Sequence, residues 1–292
     1  MKKKKNLAAL IILSVVIFCF VTNLFTTTKQ KKAKFDNTHL TQLSKPKHPP
    51  QFNFVILVYI RNNKNLSHCL ESITKQDYPR DKLAVCMIDD ASTIDTKENL
   101  KRIQRKTDMY KNWGQLINQQ YQGFPYSFNQ AINLIGVNDN DIILCVNGSD
   151  SLNTDLVLRK INDSYVENPE QQVTFGNFSI KEENGTYKTS TYINCENMSN
   201  ISDPQKLEDA FVKSGLLWHN IHPKTFKAGT FKKVIEKGAY TRSKGDFVKG
   251  MNDLEFLIPL LIESSGQYKC LEENLYHANP SEEQFLRNIK MN

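Results

Sequence analysis

The sequence predicts an α/β fold with a mainly parallel central sheet and helices on both faces. Three observations predict it. First, Phe54–Ile60, Leu83–Ile88 and Ile142–Val146 are apolar runs rich in Val and Ile, the composition of strands buried on both sides. Second, the latter two runs end in polar turn formers, Asp89-Asp90-Ala91-Ser92-Thr93 and Asn147-Gly148-Ser149-Asp150. Such clusters at the carboxyl ends of buried strands are where open α/β sheets bind ligands. Third, Leu66, Cys69, Leu70 and Ile73 recur at helical spacing between the first two runs. A strand, a helix and a second strand in that order require a right-handed parallel crossover.

The remaining elements follow in order. Asn65 caps the first helix, and Tyr78-Pro79 ends it. Thr96–Tyr110 reads as an exposed helix and Gly114–Asn118 as a short strand. Pro125–Gly136 is a helix with Phe128, Ala131, Ile132 and Ile135 on one face, closed by Gly136. After the third apolar run, Asn153 caps a helix with Leu156, Val157, Ile161 and Tyr165 along its stripe. Val173–Ser179 and Tyr187–Ile193 flank Asn184-Gly185, a hairpin signal. A helix opens at Met251–Glu255, with Leu254, Leu257, Ile258 and Leu261 facing inward. Pro259 kinks it and Gly266 closes it. Tyr268–Leu271 and Asn274–His277 are the closing strands.

The chain has 292 residues, enough for one α/β domain of about 220–250 residues plus extensions. Its net charge is +7, much of it in Lys2–Lys5 and Lys29–Lys34. A basic end of this kind suits a membrane surface. No zinc finger, helix-turn-helix or aromatic-basic ladder is present, which excludes nucleic-acid binding. The six cysteines are scattered without a Cys-x-x-Cys pair, and read as buried thiols rather than a metal site or disulfide framework. The absence of a Gly-x-Gly-x-x-Gly or P-loop argues against dinucleotide oxidoreductases and P-loop NTPases.

Leu7–Phe25 is charge-free over about 19 residues, long enough to span a bilayer. No small-residue cleavage site follows it, so an uncleaved single-pass signal-anchor is favoured over a signal peptide. Lysines flank it on both sides, which leaves open the side on which the domain lies. Asn-x-Ser/Thr sequons at Asn65, Asn162, Asn177, Asn184, Asn197 and Asn200 would suit a lumenal domain but do not decide it. The expected organisation is an anchor over 1–28, a stalk over 29–51 ending in Pro49-Pro50, a domain over 52–280 and a tail over 281–292.

Several stretches carry a family resemblance. HCLESITKQDYP resembles the Leu-x-Ser-Ile-x-x-Gln-x-Tyr-Pro run of family 2 glycosyltransferases, through Leu70, Ser72, Ile73, Gln76, Tyr78 and Pro79. IDDAST resembles that family's Asp-Asp-x-Ser-Thr loop. DIILCVNGSDSL resembles its apolar strand followed by Asp-Gly-Asp-Asp-aromatic-Leu. Here Gly148, Asp150 and Leu152 are kept, while Asn147 and Ser149 stand where acids are usual. His222-Pro223-Lys224-Thr225-Phe226 is similar to a His-x-x-Thr-Phe segment in a subset from intracellular bacteria and large DNA viruses. Asn279 matches the Asn of that subset's Leu-Tyr-x-Tyr-Asn. The likeness covers Phe54–Asn279.

This resemblance implies a GT-A (nucleotide-diphospho-sugar transferase) fold preceded by one transmembrane helix. It implies an inverting transfer from a UDP- or GDP-sugar to a glycan, lipid or protein acceptor. Asp90, with Asp89 as the alternative, would accept a hydrogen bond from the donor's base. Tyr59 and Asn62 stand near the family's Tyr-Asn pair, and Arg61 between them is unusual, open to pairing a phosphate or to being solvated. Asn147 and Asp150 would meet the donor diphosphate. A weakly held Mn²⁺ or Mg²⁺ would sit on Asp150, with Asn147 and His222 as further candidate ligands. Asp253, with Glu255 as fallback, would be the base. The degraded acidic motif leaves a nucleotide-sugar-binding pseudoenzyme as the alternative. A nucleotidyltransferase would carry a Gly-rich first loop, and Tyr59–Lys64 has no glycine.

Overall fold

The computed structural model describes residues 45–62, 65–93, 98, 101, 112–181, 187–189, 201, 203, 206, 207, 209, 210, 221–242 and 245–279. The chain divides into Met1–Gln42 and Leu43–Asn292, and every described residue belongs to the second unit.

One twisted sheet organises the domain. Its first half is the parallel set expected from the apolar runs. β1 (Phe54–Ile60) lies between β2 (Leu83–Asp90) and β4 (Ile142–Asn147), and β3 (Trp113–Asn118) lies beyond β2. In register, Tyr59 stands beside Ile88 and Asn147, and Asp90 beside Asn118. The carboxyl ends of β1, β2 and β4 therefore open on one edge, as expected for the Asp90 and Asp150 loops.

The second half corrects the mainly parallel expectation: the sheet is mixed. β8 (Lys224–Lys227) runs antiparallel to β4, and β6 (Val173–Lys181) antiparallel to β8. β9 (Tyr268–Ala278) is parallel to β6. β5 (Ser151–Leu152) pairs with β9 and β7 (Tyr187–Thr189) with β6, both antiparallel. Apolar patterning reports which strands are buried, not their direction, so this half was not readable from periodicity.

Alternation along the strands divides the core in two. Val55, Leu57, Cys86, Ile88 and Ile143 face α2 (Phe124–Ile135), α4 (Ala228–Glu236) and α5 (Asp253–Glu263). Phe54, Ile56, Val58, Val85 and Leu144 face α1 (Leu66–Thr74) and α3 (Val157–Glu167). Helices thus cover both faces, as expected. Phe256, fully buried, is ringed by Phe124, Phe128, Phe226, Phe231 and Tyr240. Burying such a ring stabilises by about 1.5–3 kcal/mol, and here it fixes where α5 begins. Asn252 and Glu255 close a capping box on that start.

Local readings needed revision where tertiary pairing intervened. Asn153 is not a helix cap. Its amide donates to the Asn274 carbonyl, because the chain first pairs as β5, and α3 starts only at Val157. The expected stalk ends early. The backbone N–H groups of Lys47 and His48 donate to Asp163, and that of Gln51 to Asn162, so residues 47–51 are held against α3. Asn162 and Asn177 are buried, which rules out those two sequons as glycan sites. The closing strands are one continuous β9, and Cys270 on it is disulfide-bonded, against the expectation of thiols only. Cys69, Cys86 and Cys145 are free and buried, as expected. The Leu7–Phe25 anchor, the Asn184-Gly185 turn, the tail and most of Thr96–Tyr110 lie outside the described residues. Among the described residues no helix is long and apolar enough to cross a membrane.

Candidate functional site

A cavity of about 490 Å³ lies at the carboxyl ends of β1 and β4, bounded by Lys224 of β8 and by the starts of α2 and α5. Tyr59, Arg61, Tyr121, Asn147, His222, Lys224, Asp253 and Glu255 are among its lining residues.

Asp253 is the first residue of α5, an acid where the helix dipole favours one. Its Oδ1 lies 2.8 Å from Lys224 Nζ, and its Oδ2 lies 3.3 Å from His222 Nε2. The Ile221 backbone N–H also donates to Oδ2, at 3.2 Å. A carboxylate offers about four lone-pair sites, so these three partners leave room for one more donor. Burial alone would raise the Asp253 carboxyl, but the Lys224 and His222 side chains and these hydrogen bonds bring it net below its ordinary value. It is ionised at neutral pH. Burial, then the Lys224 charge, push His222 down to about 3 against the pull of Asp253. His222 is therefore neutral, its ring stacked on Tyr276 with centroids 4.4 Å apart. Glu255 lines the same cavity while its carboxylate accepts the Asn252 backbone N–H.

Asp90 behaves differently from its expected role. Tyr59 Oη donates to it at 2.6 Å, Asn118 Nδ2 at 2.9 Å, the Gln122 N–H at 2.9 Å and the Gly123 N–H at 2.8 Å. Four donors exhaust the carboxylate. It ties β1 and β3 to the start of α2 and has nothing left for a nucleobase. Asp89 is the carboxylate with capacity. Its Oδ1 accepts the Ser92 N–H, while its Oδ2 has no hydrogen-bond partner among the described residues, but that oxygen is buried and Asp89 does not line the cavity. Asn62 does not line the cavity. It holds the turn together, its N–H donating to Ser92 Oγ and its Oδ1 accepting the Thr93 N–H. Tyr59 does line the cavity, packed edge-on to Phe124 and Phe128.

The residues expected to hold Mn²⁺ or Mg²⁺ do not fit a metal. Asp150 is buried and is not part of the cavity lining. Its oxygens accept Ser149 Oγ at 3.0 Å, the Asn279 N–H at 2.8 Å and Tyr276 Oη at 2.9 Å. Asn147 Oδ1 accepts the Ser149 N–H. His222 turns its Nε2 toward Asp253, while Tyr276 joins the His222 ring to the Asp150 carboxylate. Among the described residues no three His, Cys, Asp or Glu side chains cluster as a metal site would require.

Burial, outweighing those three hydrogen bonds, pushes the Asp150 carboxyl up to about 7. An unfolded Asp titrates near ~3.9. Between these values the native state holds more protons than the unfolded state, so this group's contribution to stability is lost as pH rises through that window. Asp150→Asn has no such titration. The stability gap between parent and variant, read by thermal denaturation from pH 4.5 to pH 7.5, is expected to narrow as pH rises. A gap independent of pH would mean that Asp150 stays ionised.

Sequence reasoning missed Lys224 on the cavity and Tyr276 behind His222, and left Arg61 open between pairing a phosphate and being solvated. Lys224 carried a signal: β8 is buried at all four positions, and a lysine in a buried strand needs a counter-charge. Identifying that partner required knowing that α5 starts beside β8.

A family model described as glycosyl transferase family 2 matches residues 54–233. No curated protein sequence matches the chain. Among solved structures, S. aureus TarS 1-349 in complex with UDP-GlcNAc is similar, with a TM-score of 0.56 and 15% identity, over 79% of this chain and 59% of that one. The mannosyltransferase PcManGT from Pyrobaculum calidifontis, in complex with GDP-Man and Mn²⁺, gives 0.53 and 15% over 83% and 62%. The chain thus spans about three fifths of the length of either structure. At this identity the likeness shows the fold, which is GT-A.

Proposed function

The chain belongs to glycosyl transferase family 2, and from that premise we propose that it transfers a sugar, with inversion, from a UDP- or GDP-sugar to a hydroxyl-bearing acceptor. The observation that carries this reading is Asp253, an ionised carboxylate with one acceptor site to spare, held at the wall of the cavity by Lys224 and His222. In the proposed step Asp253 takes the acceptor hydroxyl's proton as that oxygen attacks the anomeric carbon. The new carbon–oxygen bond forms on the face opposite the one that breaks, and its electron pair departs with the nucleoside diphosphate. Complexes of similar structures with UDP-GlcNAc and GDP-Man support a nucleotide-sugar donor. The acceptor class, glycan, lipid or protein, belongs to the same reading. So does bilayer anchoring by the charge-free Leu7–Phe25 behind Lys2–Lys5.

Asn147 and Ser149, standing where acids are usual, favour a second reading in which donor binds without turnover. One experiment separates the two. The full chain in detergent is incubated with UDP- and GDP-sugars, and nucleoside diphosphate release is measured alongside donor binding. Release with at least one sugar is expected. Binding without release supports the second reading, and neither binding nor release with any donor would sink both.

A further inference from the structure

We propose that this chain neutralises the donor's diphosphate with its own side-chain cations, Arg61 and Lys224, and uses no divalent metal there. The proposal rests on the nucleotide-sugar reading above and deepens it.

Three observations carry it. The first is the donor set. Asp150 spends its oxygens on Ser149, Tyr276 and Asn279 away from the cavity, and Asn147 Oδ1 is engaged by the Ser149 N–H. The second is the cation already in place. Of the two acids on the cavity, Glu255 is drawn into its cap by the Asn252 N–H, and Asp253 has the Lys224 ammonium at 2.8 Å, which is itself 3.5 Å from His222 Nδ1. A dication bridging Asp253 and His222 would lie against a buried ammonium, where low dielectric magnifies repulsion. The third is Arg61. It follows β1, lines the cavity and lies 3.8 Å above the Tyr121 ring. A guanidinium held on an aromatic face presents a planar fork suited to two phosphate oxygens.

The two cations divide the work. Lys224 donates to the Ile221 carbonyl, Asp253 Oδ1 and His222 Nδ1, which uses its three protons. It therefore acts through its field rather than by direct contact. Its charge is balanced by Asp253 in the resting site. When Asp253 accepts the acceptor's proton, that balance is lost as negative charge develops on the departing diphosphate. The cavity becomes more positive at the moment the leaving group needs it, which is selective stabilisation of the transition state. Arg61 contacts the diphosphate in both ground and transition states.

The test measures binding of UDP, GDP and inorganic pyrophosphate to the full chain in detergent, in EDTA and in Mn²⁺, with Mn²⁺ binding to the protein alone followed by electron paramagnetic resonance. Diphosphates are expected to bind in EDTA, with little gain from Mn²⁺. Arg61→Gln should weaken them by roughly tenfold or more in protein that remains folded at the assay temperature, and Arg61→Lys should recover part of the loss. Nucleotide binding that requires Mn²⁺, or a tight Mn²⁺ site without nucleotide, overturns the inference and leaves the nucleotide-sugar reading standing. Pyrophosphate binding in EDTA that depends on Arg61, with no nucleotide binding, does the reverse. Binding in EDTA that is indifferent to Arg61→Gln overturns the role of Arg61. No binding of any probe overturns both.

Discussion

Asp253→Asn is expected to lower turnover on the order of a hundredfold or more while donor affinity stays within a small factor. The substitution keeps the side chain's shape and an oxygen for the Lys224 ammonium, and removes the capacity to take a proton. Single-turnover rates beside nucleotide dissociation constants separate the two effects. Because Lys224 and His222 hold the Asp253 carboxyl below its ordinary value, the parent's rate should not fall on its acid side until pH drops below about 4. A loss of rate already at pH 6 would point to a group other than Asp253. An unchanged rate in the Asn variant would move the base to Glu255, whose carboxylate is tied to the Asn252 N–H and would have to leave its cap to act.

Lys224→Met should destabilise the domain by about 3–5 kcal/mol, because it strands a buried carboxylate without its counter-ion. In the parent, the depressed Asp253 value means that the pair's stabilisation is present above the unfolded Asp value and is lost as pH falls through the lower folded one. In Lys224→Met the burial contribution is unopposed by the ammonium, so the variant should lose most stability at neutral and alkaline pH and recover some in acid. Adding Asp253→Asn to Lys224→Met should restore part of the loss, and the double-mutant cycle in urea reads the coupling. A single-variant cost below about 1 kcal/mol, typical of an exposed pair, would show that the two charges are solvated rather than interdependent.

The difference between what was and was not legible in the sequence has a physical basis. Apolar runs and helical spacing placed β1, β2, β4, α1 and α2 because burial leaves a periodic trace. The place of Asp253 at the start of α5 was legible because an acid opening a helix is a local arrangement. The surroundings of Asp90 and Asp150 were not legible for the opposite reason. A carboxylate's availability depends on who donates to it, and the donors to Asp90 come from Tyr59, Asn118, Gln122 and Gly123, up to 33 positions away. Those to Asp150 include Tyr276 and Asn279, more than a hundred positions distant. The reversal of β8, and with it the meeting of Lys224 and Asp253, likewise depends on long-range topology that leaves no periodic trace.

The saturation of Asp90 bears on how variation in this chain should be interpreted. On the proposed function, a scan that scores only product formation is expected to rank Asp90 beside Asp253, since loss of either should lower it. The causes differ. At Asp253 one chemical act is lost, and a neighbouring acid or an added small-molecule base has something to rescue. At Asp90 four donors lose their common acceptor together, and no exogenous base restores that junction. Tolerance at Asp90 should therefore track growth temperature and expression level, while Asp253→Asn, which keeps an oxygen for the Lys224 ammonium, should depend on them much less. Comparing Asp90→Asn with Asp253→Asn at two temperatures would tell an architectural acid from one proposed to work in the chemistry, without any kinetic measurement.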